Sequence, residues 1–191
     1  VITAPFLFDE LFTLFNKQRK DYVSFVELNP WYQFYFDDGS VFNYGGTVKD
    51  TEKEISKFSI KDVKGYRDLV KMSEKIFNVG FTELSHVPFH NFFFMIKQIP
   101  KLMKLKSYLT VYQLVSKYIK HPNIKKALSI QPLLLGGNPI TTTSIYNLIH
   151  FLERKWGVHY AMGGTGSIIK ALKKLSIEEK IQINLNTEVQ E

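Results

Sequence analysis

The stretch TSIYNLIHFLERKWGVHYAMGGTGSIIKAL, residues 143–172, predicts a helix, a short strand and a second helix in close succession. Apolar side chains recur at helical spacing in its first half, at Ile145, Leu148, Ile149 and Leu152. The first helix is predicted to span Thr143–Trp156 and to end at Gly157. Val158–Ala161 is predicted to be a strand, and Gly166–Leu175 the second helix.

The rest of the chain continues this mixed pattern. Amphipathic helices are predicted at Pro5–Phe15, Thr51–Phe58, Ile60–Phe77 (capped by Ser59), Ser107–Ile119 and Pro122–Ile130. Strands are predicted at Tyr22–Leu28, Gln33–Phe36, Val41–Tyr44 and Ile181–Leu185. The sequence Asp37-Asp38-Gly39-Ser40 is typical of a hairpin turn, which is a better interpretation of its two aspartates than a metal or acid–base site. The predicted fold class is α+β, mostly helical, with a small mixed or antiparallel sheet.

Composition excludes several classes of protein. Hydrophobic residues make up 45% of the 191 residues, which argues against a disordered chain. The absence of cysteine excludes disulfides, thiolate metal sites and a cysteine nucleophile. The uncharged run 127–149 has the length of a membrane span, but its glycines and prolines argue against a transmembrane helix.

Positive charge is concentrated in one segment. The formal net charge is +7, and no acidic residue occurs between Glu83 and Glu153. Eight lysines fall in that interval: Lys97, Lys101, Lys104, Lys106, Lys117, Lys120, Lys125 and Lys126. This asymmetry predicts an acidic partner or an anionic surface. A nucleic acid is the less favoured partner, because none of the three arginines of the chain lies in the interval.

The segment Phe89–Lys106 predicts an amphipathic helix with unusual flanks. Its apolar face comprises Phe92, Met95, Ile96, Ile99, Leu102 and Met103, and the opposite face carries Lys97, Lys101 and Lys104. Phe93 and Phe94 lie beside the lysines, an arrangement suited to the headgroup level of a membrane. The alternative is an ordinary helix covered by a neighbouring segment. Pro100 is expected to kink or divide the helix.

Two further motifs carry weaker signals. His86 and His90 have a metal-ligand spacing, but Pro88 lies between them and no carboxylate is near, so no metal site is predicted. The turn 162–167, MGGTGS, lies between a strand and a helix, where backbone amides can face an anion. It does not match the nucleotide fingerprint GxGxxG, and a turn with a helix cap explains it equally well.

A resemblance to a known family rests on the run LLLGGNPITTTSIYNLIHFLERKWGVHYAMGGTGSIIKAL, residues 133–172. It resembles the bacterial-type phytoene desaturases of the flavin-containing carotenoid desaturase and amine oxidase superfamily. Shorter pieces match in the same order: VIT and DELF near the start, then DGSVFNY, KDVKGYRDL, HVPF and finally INLNTEV. The resemblance therefore covers essentially the whole chain.

The resemblance implies a flavoenzyme that dehydrogenates a linear C40 polyene by passing a hydride to FAD. Such enzymes are cytoplasmic, peripheral membrane proteins that draw a carotenoid substrate from lipid into an apolar tunnel. This favours the membrane interpretation for eight residues, as lipid contact and substrate access: Phe89, Phe92, Phe93, Phe94, Met95, Lys97, Lys101 and Lys104. It also implies two domains, a substrate-binding, membrane-facing one at 1–160 and the start of the return into the FAD-binding domain at 161–191.

For the cofactor, the resemblance implies contacts from Gly163, Gly164 and Val189. The βαβ unit with GxGxxG that opens family members does not occur, so the chain is expected to be a central fragment that holds no FAD alone and is inactive. Some relatives carry an aspartate shortly after the VPF motif, but 90–95 reads HNFFFM, so no catalytic residue is assigned. Two alternatives stay open: a non-catalytic membrane-surface or carotenoid-binding module, and a basic nucleic-acid-binding protein. The oligomeric state is not predicted.

Overall fold

The computed structural model describes residues 1–83 and 92–188, with the side chains of 92–95 outside that description. The α-helices are α1 Pro5–Thr13, α2 Val48–Phe58, α3 Asp62–Phe77, α4 Phe92–Lys104, α5 Val111–Tyr118, α6 Pro122–Ala127, α7 Leu148–Trp156 and α8 Thr165–Glu178. The strands are β1 Phe25–Glu27, β2 Tyr32–Tyr35, β3 Val41–Tyr44 and β4 His159–Ala161. Short 3₁₀ helices occupy Arg19–Asp21, Gln131–Leu135 and Ser144–Asn147, and a π-helical turn follows α3 at Asn78–Glu83. The predicted α+β class, mostly helical with small antiparallel sheets, is confirmed.

The chain divides into two compact units, one formed by Val1–Leu28 with Val158–Glu191 and the other by Asn29–Gly157. The N-terminal 28 residues thus belong with the C-terminal part of the chain. The predicted functional division, with a boundary at residue 160, stays a prediction.

The first unit is built around a two-stranded antiparallel sheet. β1 pairs with β4, so that Phe25 lies opposite Ala161. Ile2 adds a further rung, because its N–H donates to the His159 carbonyl and its carbonyl accepts from the His159 N–H, each at 2.8 Å. A small core closes the unit: Phe12, Val23, Ala161, Ala171 and Leu175.

The predicted strand Ile181–Leu185 is wrong. These residues follow α8 without forming a strand, and Lys180 enters the left-handed region with φ of 56°. The apolar side chains of Ile181, Ile183 and Leu185 are exposed. An alternating pattern becomes a strand only when a neighbouring edge accepts its backbone hydrogen bonds, and this segment pairs with no strand in the described part of the chain.

The second unit begins with the predicted hairpin. β2 and β3 pair in register, with Tyr32 opposite Tyr44. Within the turn, the Asp38 carboxylate accepts hydrogen bonds from the Ser40 N–H and hydroxyl, and Gly39 has a φ of 77°. The bonds from Ser40 lower the pKa of Asp38. The turn interpretation of the two aspartates is therefore confirmed.

Helices α2 and α3 meet at Ser59, where the predicted cap is wrong. Ser59 is extended and ends α2, because its N–H donates to the Ile55 carbonyl. The Asp62 carboxylate accepts from the backbone N–H of Lys120 at 2.9 Å and of His121 at 2.7 Å, so it holds the end of α5 against the start of α3.

The other boundaries differ from prediction at local caps. α5 starts at Val111 rather than Ser107, because Thr110 and Gln113 form a capping box. α7 ends at Gly157 as predicted, with φ of 73°. α4 is one helix through Pro100, so Pro100 does not divide it, and the alternative that Pro100 kinks the helix stays a prediction. Among the residues that the structure describes, no helix is long and apolar enough to cross a membrane.

Candidate functional site

Helix α4 presents an uncovered apolar face to solvent. Ile96 is 44% exposed, and Ile99 and Met103 are each 52% exposed. Spacings of three and seven residues place these three side chains on one side of the helix, and we call them the apolar face of α4. A helix that packed under a neighbouring segment would bury such side chains. The described residues therefore leave these three side chains uncovered, and the choice between lipid contact and an ordinary helix stays a prediction.

Lysines border the apolar face. Lys97 and Lys104 are exposed, and Lys101 forms an ion pair with Glu83 across the surface. Glu83, which lies just before the acid-free interval, thus neutralises one of the three lysines of α4. The other two stay available to an anionic partner.

The C-terminal end of α4 is fixed to the second unit. Leu105 is buried and packs in a cluster with Met72, Ile76 and Leu114. Ser107 reaches back, because its N–H and hydroxyl both donate to the Leu102 carbonyl. The helix is therefore anchored beyond its last turn while its apolar face stays in solvent.

Several predicted lipid-contacting residues cannot be placed at the level of side chains. Phe89 lies outside the described residues, as do His86 and His90. Phe92, Phe93, Phe94 and Met95 belong to the first turn of α4, but their side chains lie outside the description. Their predicted roles stay predictions.

The glycine turn lies in the first unit, between β4 and α8. Gly163 and Gly164 have φ of 85° and 79°, in the region that side chains disfavour. The Gly164 N–H donates to the Ala161 carbonyl, and its own carbonyl accepts from the Ser167 hydroxyl at 2.6 Å. Gly163 lies on the surface, where its backbone can approach a flat ring system closely. The predicted cofactor contact of Gly163 and Gly164 stays a prediction, and Val189 lies outside the described residues.

A buried polar cluster in the second unit was not predicted from the sequence. It joins the hairpin, the 3₁₀ helix Gln131–Leu135 and α7, and we call it the Arg154 cluster. Its members are Tyr32, Tyr44, Gln131, His150, Glu153 and Arg154. The only local feature was the adjacent pair Glu153 and Arg154 in α7. Amphipathic spacing does not show whether such a pair is buried or solvated.

Arg154 is the hub of this cluster. Its guanidinium donates to the carbonyls of Gly45 at 3.2 Å and Gly46 at 2.5 Å, and to the Thr51 hydroxyl at 2.6 Å. The Arg154 Cζ lies 4.6 Å from the centre of the Trp31 ring. The arginine therefore fixes the loop after β3 against α7 by both hydrogen bonding and cation–π contact.

Glu153 is fully buried beside it. Its Oε1 accepts from the Tyr32 hydroxyl at 2.9 Å, whereas Oε2 has no hydrogen-bond partner among the described residues. Burial raises the pKa of Glu153 to about 7, and the Tyr32 hydrogen bond and the Arg154 charge oppose that rise. Burial and the nearby Glu153 charge in turn raise the pKa of Tyr32. Glu153 is thus a carboxyl group that carries a proton near neutral pH.

His150 is buried as a neutral ring. Its Nε2 donates to the Leu128 carbonyl at 2.9 Å, which leaves Nδ1 to accept from Tyr44 and Gln131 at 3.0 and 3.1 Å. Desolvation lowers the pKa of His150 to about 4. Because the ring has protein partners on both nitrogens, it is a structural group.

Comparison with known proteins finds similarity to carotenoid desaturases, although no family model matches the chain. It is 39% identical over its whole length to a lycopene-forming phytoene desaturase of Pseudescherichia vulneris and 40% identical over 99% of its length to one of Pantoea ananas. It is 23% identical over 98% of its length to a carotenoid 3,4-desaturase of Haloarcula japonica. The chain covers 39%, 38% and 38% of these relatives, respectively, so it spans about two fifths of their length.

These similarities show that the chain is related to the carotenoid desaturases, a class of oxidoreductases. Within that class, the chain is related to the bacterial-type phytoene desaturases. From end to end, it corresponds to a segment of these relatives.

Proposed function

We propose that this chain is the lipid-facing, substrate-handling part of an FAD-dependent enzyme that dehydrogenates phytoene. The relatives named as phytoene desaturases support the reaction class. When bound, FAD would accept a hydride from the polyene, and the exposed turn at Gly163 and Gly164 would contact the edge of that cofactor. The enzyme would work as a cytoplasmic protein bound to the surface of a membrane.

The observation that carries this proposal is the exposed apolar face of α4, with Lys97 and Lys104 exposed on the same helix. Removing a half-exposed isoleucine or methionine from water contributes on the order of 1 kcal/mol. A lysine beside an anionic lipid surface adds about 1 kcal/mol. Three apolar side chains and two lysines that have no ion pair among the described residues together favour adsorption to lipid, where a water-insoluble polyene is dissolved.

The location of α4 suits transfer of that substrate. Its apolar face would lie among the acyl chains, and its C-terminal end is held by Leu105 in the core of the second unit. A polyene leaving the bilayer along the helix would thus follow apolar side chains as far as the end of α4. The chain's part in the reaction is accordingly to bind the substrate and exclude water, and the chemistry is that of the flavin.

A segment exchange tests this function. This chain would replace the matching segment of the Pseudescherichia vulneris relative, and the chimera would be expressed in cells that make phytoene. We expect a flavin-bound chimera that consumes phytoene and produces coloured carotenoid, measured by absorbance of extracts. The unmodified relative is the positive control.

A chimera that folds and binds flavin but leaves phytoene unchanged would contradict the proposed activity. If such a chimera still bound vesicles, the chain would be a membrane-surface module without a part in the chemistry. Salt-sensitive binding to duplex DNA or RNA in place of vesicles would instead support the basic nucleic-acid-binding alternative.

A further inference from the structure

A second exposed apolar surface lies in the second unit, outside α4 itself. Leu133, Leu135 and Ile140 are 60%, 66% and 67% exposed, and Leu134 between them is also on the surface. We call these four residues the leucine segment. Scattered exposed apolar residues are ordinary, but three consecutive exposed leucines with an exposed isoleucine five residues later are a local concentration of the kind that can mark an interaction site.

The leucine segment is held in one conformation. Gln131 and Pro132, which precede it, are buried, and the Gln131 amide donates to His150 in the Arg154 cluster. Gly136 turns the chain with φ of 76°, and the Gly137 N–H donates to the Pro132 carbonyl at 2.8 Å. A fixed loop displays its leucines without the entropic cost of ordering them on contact, which favours binding.

The same loop is attached directly beyond the end of α4. The hydroxyl of Thr143 donates to the Ser107 carbonyl at 2.6 Å, and that of Ser144 to the Lys106 carbonyl at 2.8 Å. Backbone bonds continue the attachment, from Val111 N–H to the Thr142 carbonyl and from Ser144 N–H to the Leu109 carbonyl. The two apolar surfaces are therefore mounted on one hydrogen-bonded frame.

Charge and side-chain type indicate what covers the leucine segment. The Lys125 Nζ lies 5.8 Å from the centre of the Tyr112 ring. The Tyr112 N–H in turn donates to the carbonyl of Pro139, next to Ile140. The sequence contains no acid from residue 84 to 152. Protein interfaces favour aromatic and arginine anchors, and leucine is under-represented among their energetic centres. Aliphatic side chains bordered by lysine match an anionic bilayer instead.

We propose that the leucine segment inserts into the interface of an anionic phospholipid bilayer as a second lipid-contacting element beside α4. The inference rests on the proposed function in one respect, that a membrane is the partner. Two points of attachment would restrict how the unit rotates on the bilayer and would strengthen binding beyond that of a single helix.

The absence of native cysteine allows a direct test. A single cysteine would replace Leu133, be labelled with an environment-sensitive nitrobenzoxadiazole probe, and be mixed with phosphatidylcholine vesicles with or without phosphatidylglycerol. We expect a blue shift and a rise in fluorescence with the anionic vesicles. A probe at Ile60, which is exposed in the same unit between α2 and α3, is the matched control and should not respond.

A triple variant measures the contribution to affinity. Replacing Leu133, Leu134 and Leu135 with serine should weaken vesicle binding about tenfold or more, which corresponds to roughly 1.4 kcal/mol. The exposed isoleucines Ile60, Ile169 and Ile177, replaced together with serine, should leave binding unchanged. Circular dichroism would establish that both variants fold.

Two results would overturn the inference while leaving the proposed function intact. The first is a chain that floats with anionic vesicles while the probe at Leu133 keeps its aqueous spectrum. The second is a blue shift without lipid on raising the protein concentration, which would show that a second copy covers the segment. A third result is a probe at Leu133 that enters lipid while the segment-exchange chimera is inactive. That result would support the leucine segment as a lipid-contacting surface and would contradict the proposed activity.

Discussion

Replacing Arg154 with methionine is expected to lower the free energy of unfolding by about 3–5 kcal/mol, because a hydrogen bond from a charged donor contributes about 1.5–3 kcal/mol. The change removes the donors to the Gly45 and Gly46 carbonyls and to the Thr51 hydroxyl. It also removes the cation from the Trp31 ring. Methionine fills similar volume, so the loss would report the polar contacts rather than a cavity. Urea unfolding followed by circular dichroism measures it.

A conservative change and a surface change provide controls for Arg154. Lysine at this position keeps the charge but lacks the planar group that donates to three acceptors. The stability of the Arg154→Lys variant should therefore lie between that of wild type and that of the methionine variant. Arg67→Met removes a two-bond ion pair with Glu52 on the surface and should cost far less. Equal effects at Arg67 and Arg154 would show that the Arg154 cluster does not hold this unit together.

The second large effect is a pH dependence from Glu153. The folded state raises its pKa from 4.5 to about 7, so between these values the folded chain keeps a proton that the unfolded chain has lost. The stability that Glu153 contributes is therefore fully present below about pH 4.5 and is lost as the pH rises through 7. At 1.36 kcal/mol per unit, the loss amounts to roughly 3 kcal/mol.

Glu153→Gln isolates this contribution, because an amide does not titrate. The stability of the variant relative to wild type is expected to increase by roughly 3 kcal/mol between pH 4.5 and pH 8. His150 behaves oppositely, since its lowered pKa takes stability away as the pH falls from 6.5 toward 4, but it is present in both proteins and cancels in the difference. Glu10→Gln, on the surface, controls for the loss of one charge. A difference that stays constant with pH would mean that Glu153 is ionised in the folded chain.

Local features of the fold were predictable from the sequence. The hairpin turn at Asp38 and Gly39 and the end of α7 at Gly157 depend on the conformations of one or two residues, which residue type largely determines. Ser59 shows the limit of this approach. It has the side chain of a cap, but Asp62 and the backbone of Lys120 and His121 decide where α3 begins, and that contact spans about 60 positions of sequence.

The candidate sites divide in the same way. The amphipathic spacing of α4 was visible in the sequence, but whether Ile99 and Met103 face solvent or a neighbour depends on the packing of the whole unit. The Arg154 cluster had no local signal, because Tyr44 and His150 are 106 positions apart. The leucine segment was apparent only as an uncharged run. Its exposure is shown only by the structure, in which the buried side chain of Gln131 fixes the start of the segment.

The central claim is that the apolar face of α4 lies in lipid when the chain is bound to a membrane. Because the chain has no cysteine, nitroxide spin labels can be attached singly at Ile96, Ile99 and Met103 and, for comparison, at Lys97 and Lys104. Electron paramagnetic resonance with oxygen and a water-soluble nickel complex reports the depth of each label in anionic vesicles. The account predicts greater access to oxygen than to nickel at the first three positions and the reverse at the two lysines. Equal access to nickel at Met103 and Lys104 in vesicle-bound chain would contradict it.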